Sequence, residues 1–202
     1  MKTITIGNLK GGVGKTTTTV NLAYGLSLQE KRVLVVDADP QTNLTPFFTK
    51  ANRQGRTLLD VLEHPEKVKT CIYRTKYTCI DIIKGNTEIA ESNAEELVLG
   101  QALQLVEDKY DYCLIDTRPA FETDHTLVWK IFANKVDSGR KAQRKIFEDL
   151  VTKHDYPLLE TCVSRSAVVD NALELYKPVQ KHRSSSAVAK DYEELAKEVA
   201  QL

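Results

Sequence analysis

The sequence predicts an α/β protein: a doubly wound, mainly parallel sheet with helices on both faces and the first strand near its centre. Three short apolar runs, at residues 4–6, 32–37 and 112–116, have the β-branched composition of buried parallel strands. A helix is predicted over residues 16–28, directly after the first run. The 202 residues suffice for a sizeable core, so we expect one domain over residues 1–202.

Further elements are predicted between and after these runs. Residues 58–62 form a short helix, residues 80–83 a strand, and residues 87–108 an amphipathic helix. A second amphipathic helix is predicted over residues 186–202. We find no internal repeat, low-complexity tract or linker that would divide the chain.

A glycine-rich loop joins the first strand to the first helix. Glycines allow the backbone to turn tightly, so that successive N–H groups surround phosphate oxygens at the positive end of the helix. A lysine then adds charge at the terminal phosphates, and a threonine hydroxyl completes a magnesium shell. The predicted nucleotide-binding residues are Gly11, Gly12, Val13, Gly14, Lys15, Thr16 and Thr17.

The loop departs from the usual P-loop pattern at its start. Leu9 occupies the position of the first glycine, and a second lysine, Lys10, opens the loop. The segment KGGVGKTTTTVNLAYGL resembles the deviant P-loop of the ParA/MinD family of ATPases. This resemblance implies ATP and Mg²⁺ as ligands, catalytic roles for Lys10 and Lys15, and a homodimer that forms on ATP binding. In such a dimer Lys10 reaches the nucleotide of the partner subunit, whereas otherwise it is a solvated loop lysine.

Two carboxylates follow the second strand, in the segment Asp-Ala-Asp-Pro-Gln-Thr-Asn at residues 37–43. Carboxylates at the carboxyl end of a parallel strand lie beside the phosphate loop. The segment is similar to the family's first switch, which implies that Asp39 orients the attacking water or the magnesium shell and that Asp37 supports the metal. The alternative for either residue alone is a helix cap or a proline turn.

The strand at residues 112–116 ends in Asp116, as a Walker B element does. Such a carboxylate reaches Mg²⁺ through water, so the predicted metal residues are Thr16, Asp37 and Asp116. The family usually has Asp-Thr-Pro-Pro here, and Arg118 departs from that pattern.

Residues 130–137 resemble a later strand of the family, which ends near the nucleotide base. That resemblance implies that Asn134 contacts adenine. Only seventeen residues separate Asp116 from Asn134, too few for the helix, strand and helix that the family has there. Either one βα segment after residue 121 is deleted, or part of the natural chain is absent from this sequence. Asn134 and Asp137 also match the Asn-Lys-x-Asp pattern that reads guanine in GTPases, but we favour ATP.

The resemblance further implies a protein that holds non-specific double-stranded DNA with scattered basic residues of its carboxyl-terminal part. A centromere-binding, ParB-like protein that stimulates hydrolysis is the expected partner. For each basic cluster the alternative is an ordinary solvated helix face. The candidate DNA contacts are Arg140, Lys141, Arg144, Lys145, Arg165, Lys181 and Arg183.

Composition narrows the functional classes. The formal net charge is zero, so that any nucleic-acid or membrane binding depends on a local patch. The four cysteines form no C-x-x-C pair, no apolar run spans a bilayer, and the first strand leaves no room for a signal peptide. These features indicate a cytoplasmic protein, and the resemblance places it on the nucleoid.

The expected function is that of a slow, Mg²⁺-dependent DNA-partition ATPase of the ParA type. Two alternatives remain: a MinD-like, membrane-associated positioning ATPase, and a nucleotide-binding switch with little hydrolysis. The acidic residues of the segment 190–202 disfavour binding to anionic lipid, and we expect no stable membrane anchor.

Overall fold

The computed structural model describes residues 1–49, 55–91, 96–118, 130–137, 149 and 157–202. Within it the chain forms two compact units, Met1–Ala120 and Phe121–Leu202, and each is described here by itself. The expectation of a single domain over residues 1–202 stays a prediction.

The first unit is built around a five-stranded sheet in the order β1-β5-β2-β4-β3. The strands are parallel except β3, which runs antiparallel to β4. The strands are β1 (Lys2–Ile6), β2 (Val33–Ala38), β3 (Ile72–Arg74), β4 (Ile80–Ile83) and β5 (Tyr112–Thr117). The helices are α1 (Lys15–Leu28), α2 (Thr45–Phe48), α3 (Leu58–Glu63) and α4 (Glu96–Gln104), with 3-10 helices at Pro65–Thr70 and Thr87–Glu91.

Helices cover both faces of this sheet, which confirms the predicted fold class. One core cluster joins alternate residues of β2 and β5, including Leu34 and Cys113, to Val61 of α3 and Leu103 of α4. Because strand side chains alternate between faces, these residues belong to one face. No residue of that cluster comes from α1, which packs against β1, β2 and β5 on the other face.

The expected central position of the first strand is wrong for the sheet that the structure describes. There β1 lies at one edge and pairs with β5 alone. Consistent with an edge position, Lys2, Thr3 and Thr5 of β1 are exposed, whereas every residue from Val33 to Asp37 in β2 is buried. The second strand and β5, which both have neighbours on each side, are enclosed in the core.

The amphipathic helix predicted over residues 87–108 is shorter than expected. A 3-10 helix occupies Thr87–Glu91, and α4 ends at Gln104. Backbone N–H groups of Leu105 and Val106 bond to carbonyls three residues earlier, so the chain tightens into turns there. Leu105, within the range predicted as helix, is 47% exposed.

The second unit contains a parallel strand pair, β6 (Ile131–Val136) and β7 (Leu158–Ser164). Three helices follow: α5 (Ala167–Glu174), α6 (Val179–His182) and α7 (Ala187–Gln201). The helix predicted near the carboxyl terminus is confirmed as α7, and the side chain of Ser186 caps it by accepting a hydrogen bond from the Ala189 N–H.

Helix α7 is bound to β7 by two carboxylates as well as by its apolar face. Glu198 accepts hydrogen bonds from the backbone N–H groups of Glu160 and Thr161, and Asp191 accepts from the N–H of Ser164. The helix thereby supplies acceptors to strand N–H groups. Across the described ranges, no helix combines the length and apolar character needed to span a membrane.

Candidate nucleotide-binding site

The phosphate loop lies between β1 and α1, as predicted. Gly12 and Gly14 have positive φ angles of 71° and 100°, a conformation that favours glycine. Gly14 is the N-cap of α1, so its left-handed backbone starts the helix at Lys15. The amino end of α1 therefore opens directly onto the loop, where helix N–H groups favour an anion.

Lys10 lies on the exposed outer part of the loop. Its backbone N–H donates to Oδ1 of Asn8 over 2.9 Å, which shapes the turn. Leu9 beside it is 71% exposed. A β-carbon placed on Gly11 would meet no atom within 4 Å, and its φ is not positive. The fold of the chain itself therefore gives no steric reason for glycine at position 11.

Asp116 connects β5 to the first turn of α1. The hydroxyl of Thr16 donates to Oδ2 of Asp116 over 2.6 Å, and the hydroxyl of Thr19 lies 3.4 Å from Oδ1. Burial raises the pKa of the Asp116 carboxyl to about 7, against the effect of the Thr16 hydrogen bond. The nearby charges of Asp37 and Asp39 raise this pKa further, while Lys15 lowers it.

Asp37 lies beside Asp116 at the matching position of β2. Its Oδ2 atom accepts hydrogen bonds from the backbone N–H of Thr45 over 2.8 Å and from the Thr45 hydroxyl over 2.6 Å. Burial raises the pKa of Asp37 to about 6, although these bonds and the backbone of Asp39 oppose the shift. A nearby cation would lower the pKa values of both carboxyls and favour their deprotonated forms.

Asp39 takes part in a local turn, and its charge acts on the buried carboxyls of the site. Its Oδ1 atom accepts the backbone N–H of Gln41 over 2.9 Å, which is a local turn contact. Its charge also acts on the carboxyls of Asp37 and Asp116, because it raises the pKa of both. A turn residue within electrostatic reach of two buried carboxylates remains a candidate for positioning water.

These residues suit a magnesium ion that is held largely by nucleotide and water. In the described part of the chain, no group of three or more His, Cys, Asp or Glu side chains could hold a metal ion. Oδ1 of Asp37 is buried and accepts no hydrogen bond of ordinary geometry from the described residues. One threonine hydroxyl and two carboxylates, of which the Asp37 carboxylate includes this oxygen, fit the partly hydrated shell that Mg²⁺ prefers.

The structure brings Lys15, Thr16, Asp37, Asp39 and Asp116 together in the first unit. Sequence reasoning missed Thr19, Thr45 and Gly85. Thr19 follows Thr16 by three residues and shares its helix face, which was a usable signal. Arg118, whose role the sequence left open, is exposed just after β5.

The remaining predicted residues lie in the second unit or outside the described residues. Asn134 is in β6, where its Oδ1 accepts the backbone N–H of Lys135 over 2.8 Å. Arg165, Lys181 and Arg183 are exposed. Four candidate DNA contacts lie outside the described residues: Arg140, Lys141, Arg144 and Lys145.

Comparison with known proteins identifies the family. A family model described as an AAA domain matches residues 1–127. The Virulence plasmid ParA family protein pGP5-D of Chlamydia psittaci is 34% identical over 128 residues, which cover 59% of this chain and 49% of that protein. The chain belongs to the ParA/MinD family of P-loop ATPases. For relatives such as this one, the match spans only about half of their length.

A second relative of this ParA/MinD-family chain matches almost throughout. The chromosome-partitioning ATPase Soj of Treponema pallidum is 25% identical over 246 residues, covering 98% of this chain and 96% of Soj. Because the alignment exceeds the 202 residues of this chain, Soj has residues without a counterpart here. The difference in length agrees equally with a deletion after residue 121 and with a part of the natural chain that is absent from this sequence.

A solved structure supports the fold. The septum site-determining protein MinD of Pyrococcus horikoshii, complexed with Mg-ADP, has a TM-score of 0.72 and is 21% identical. The similarity covers 98% of this chain and 95% of MinD. This ParA/MinD-family chain therefore has the P-loop ATPase fold, and sequence identity this low supports no more than that.

Proposed function

We propose that the protein is a DNA-partition ATPase of the ParA type, which dimerises around ATP, binds DNA without sequence preference and releases it on hydrolysis. The observation that carries the proposal is the 2.6 Å hydrogen bond between Thr16 and Asp116, because it joins the phosphate loop to the Walker B strand. The match to partition ATPases supports the same conclusion.

In this proposal the loop binds the phosphates of ATP. Backbone N–H groups of residues 11–14 and the amino end of α1 surround them, and Lys15 adds a positive charge. Thr16, Asp37 and Asp116 would hold Mg²⁺, the last two through water. The bound ion would neutralise charge that develops on the terminal phosphate.

Asp39 then positions the attacking water, and Lys10 acts across the dimer. The Gln41 N–H fixes one oxygen of Asp39, so the other can accept from water. Lys10 is exposed on the outer loop, where a second subunit facing the loop would meet it. These positions agree with the assigned roles.

Base recognition is assigned to Asn134, which would contact adenine. Its Oδ1 already accepts a backbone N–H, so its amide N–H₂ group is the part suited to donate to a base acceptor. If Asp137 instead reads guanine, the preferred nucleotide is GTP.

DNA binding is assigned to the basic residues of the carboxyl-terminal part, on a dimer that works with a ParB-like protein at the nucleoid. The exposure of Arg165, Lys181 and Arg183 agrees with phosphate contacts. Since the chain has no net charge, such binding depends on local patches and is sensitive to salt.

A MinD-like membrane function is the second candidate, because the chain belongs to the ParA/MinD family. The packing of helix α7 disfavours a role for this helix in lipid binding. Its apolar residues are buried within the second unit, among them Val188, Tyr192, Leu195 and Val199. A helix whose apolar face is already packed offers little to a lipid surface.

The decisive experiment measures DNA binding by the purified protein against salt, with ATP, with ADP and without nucleotide. We expect binding to random-sequence duplexes only with ATP and Mg²⁺. Replacement of Lys181 and Arg183 by Glu should weaken it uniformly and flatten the salt slope by about 0.9 per lost contact. Replacement of Arg140 and Arg144 tests the other cluster in the same way.

Three outcomes would contradict the proposal. ATP-dependent recruitment to anionic liposomes without DNA binding would favour the MinD-like function. ATP binding without measurable turnover would favour a nucleotide-binding switch. Absence of ATP binding would reject both the ParA-type and the MinD-like ATPase function.

A further inference from the structure

The two oxygens of the buried Asp37 carboxylate have different surroundings. Oδ2 accepts both the backbone N–H and the hydroxyl of Thr45. Oδ1 accepts no hydrogen bond of ordinary geometry from the described residues, although Asp37 is 0% exposed. A buried carboxylate oxygen left in this way is costly, and the two bonds on the other oxygen hold the carboxylate in this orientation.

The Thr45 hydroxyl is itself oriented by the turn after β4. The backbone N–H of Gly85 donates to the Thr45 Oγ1 atom over 3.1 Å. A hydroxyl has one hydrogen, and Thr45 uses it on Asp37. The three groups therefore form a directed chain from Gly85 through Thr45 to Oδ2 of Asp37.

Gly85 is also required by space. A β-carbon at this position would lie 2.8 Å from Cγ and 2.9 Å from Oδ2 of Asp37. It would also lie 3.0 Å from Cγ2 of Thr42, in the loop that carries Asp39. Because φ of Gly85 is not in the positive range, the reason for glycine here is the close approach and not the backbone conformation.

Thr45 begins α2, directly after the loop of residues 39–44. This loop leaves β2 just beyond Asp37 and returns to the same carboxylate at Thr45. Both ends of the loop are therefore tied to Asp37, one through the chain and the other through the hydrogen bonds of Thr45. A change in the position of Asp37 should consequently move the loop.

We propose that Thr45 and Gly85 are positioning residues for Asp37, which turn Oδ1 toward the magnesium side of the nucleotide site and couple the ion to the loop of residues 39–44. This inference rests on the proposed function, since it needs Mg²⁺ and a nucleotide at the site. It assigns roles to two residues that the P-loop and the Walker B strand do not include.

The test compares Thr45→Val with Thr45→Ser. Valine keeps the shape and the backbone N–H but removes the hydroxyl, whereas serine retains it. The readout is the affinity for a fluorescent ATP analogue, titrated with Mg²⁺ and repeated in EDTA. Residues that orient metal-binding groups typically change metal affinity by about 10- to 100-fold, so valine should raise the required Mg²⁺ concentration about tenfold or more. Affinity in EDTA should stay unchanged, and serine should behave as the parent.

Gly85→Ala provides a second variant, with Gly100→Ala as its matched control. A β-carbon at Gly100, in α4, meets no atom within 4 Å, so alanine there should leave the Mg²⁺ titration unaltered. Gly85→Ala should shift the titration in the same direction as Thr45→Val. The double variant should shift it by less than the product of both effects, because the two residues act through one carboxylate. Thermal unfolding shows whether each variant folds. If Gly85→Ala does not fold, the comparison of Thr45→Val with Thr45→Ser decides.

The outcomes separate this inference from the proposed function. If the parent binds the analogue with Mg²⁺ and Thr45→Val has the same Mg²⁺ requirement, the positioning role is wrong. If Thr45→Val weakens binding equally with Mg²⁺ and in EDTA, Thr45 has only a structural role. If the parent binds no nucleotide, the proposed function and this inference both fall.

Discussion

Asp37 on β2 and Asp116 on β5 occupy paired positions of adjacent parallel strands, and both residues are 0% exposed. Strands in a sheet lie about 4.8 Å apart, so the two carboxyl groups belong to one small region. Burial raises the pKa of Asp37 to about 6 and that of Asp116 to about 7. Without a cation, both carboxyls therefore ionise less readily than usual. A divalent cation at this place would favour their charged forms.

The first prediction concerns stability against pH without nucleotide or Mg²⁺. Both pKa values lie above the ordinary 3.8, so between about pH 4 and 7 the folded state holds more protons than the unfolded state. The free energy of unfolding should therefore fall by several kcal/mol as pH rises through this range and level off above it, since each pH unit by which a pKa is raised corresponds to about 1.4 kcal/mol. Urea unfolding at several pH values measures this. Asp116→Asn should flatten the curve, and an unchanged slope would contradict the raised pKa.

The second prediction separates the two lysines of the phosphate loop. Lys15→Ala should abolish ATP binding, because the loop loses the charge directed at its own terminal phosphates. Lys10→Ala should leave binding by the monomer largely intact and remove ATP-dependent dimerisation. Calorimetry and analytical ultracentrifugation measure the two properties. Normal dimerisation of Lys10→Ala with ATP would show that Lys10 does not act across subunits.

The third prediction distinguishes a turn role for Asp39 from a role in hydrolysis. Asp39→Asn keeps a side-chain oxygen for the Gln41 N–H but loses the charge, whereas Asp39→Ala loses both. If Asp39 positions water, both variants should bind ATP, dimerise and hydrolyse it about 10²- to 10⁴-fold more slowly. Steady-state phosphate release measures this. Parental turnover by Asp39→Asn would leave Asp39 as a turn residue only.

The fourth prediction concerns the base. ATP should displace a bound fluorescent nucleotide far better than GTP does, because the proposal assigns base recognition to Asn134, whose amide can donate to adenine, and not to Asp137. Asp137→Ala is the matched control and should leave the preference unchanged. A preference for GTP that Asp137→Ala abolishes would mean that the Asn-Lys-x-Asp pattern reads guanine.

The strands and the glycine-rich loop before α1 were predictable because they depend on local patterns. The run at residues 32–37 is apolar and β-branched, and in the structure Val33–Asp37 are all buried. Thr16 and Asp116 were predicted independently from two motifs, and the structure joins them by one hydrogen bond. Motifs at the carboxyl ends of parallel strands converge, which made this contact foreseeable.

Other features depend on pairing that no local pattern contains. β3 has three residues and runs antiparallel at the sheet edge, too short to give a periodicity signal. The edge position of β1 follows from strand order and not from its own sequence. Thr45 and Gly85 meet Asp37 only because β2 and β4 are neighbours, and a Lys-Gly-Asn turn carries no sign of that contact.

The close approach at Gly85 also has a genetic consequence. Every single-nucleotide change that replaces a glycine codon by another amino acid introduces a β-carbon, and at this position that atom would lie within 3 Å of the Asp37 carboxylate. No amino-acid substitution at this codon is therefore structurally neutral, since even the methyl group of alanine would displace the carboxylate. A gene library with all codons at position 85 should retain mainly glycine after selection for Mg²⁺-dependent nucleotide binding, whereas position 100 should tolerate many residues.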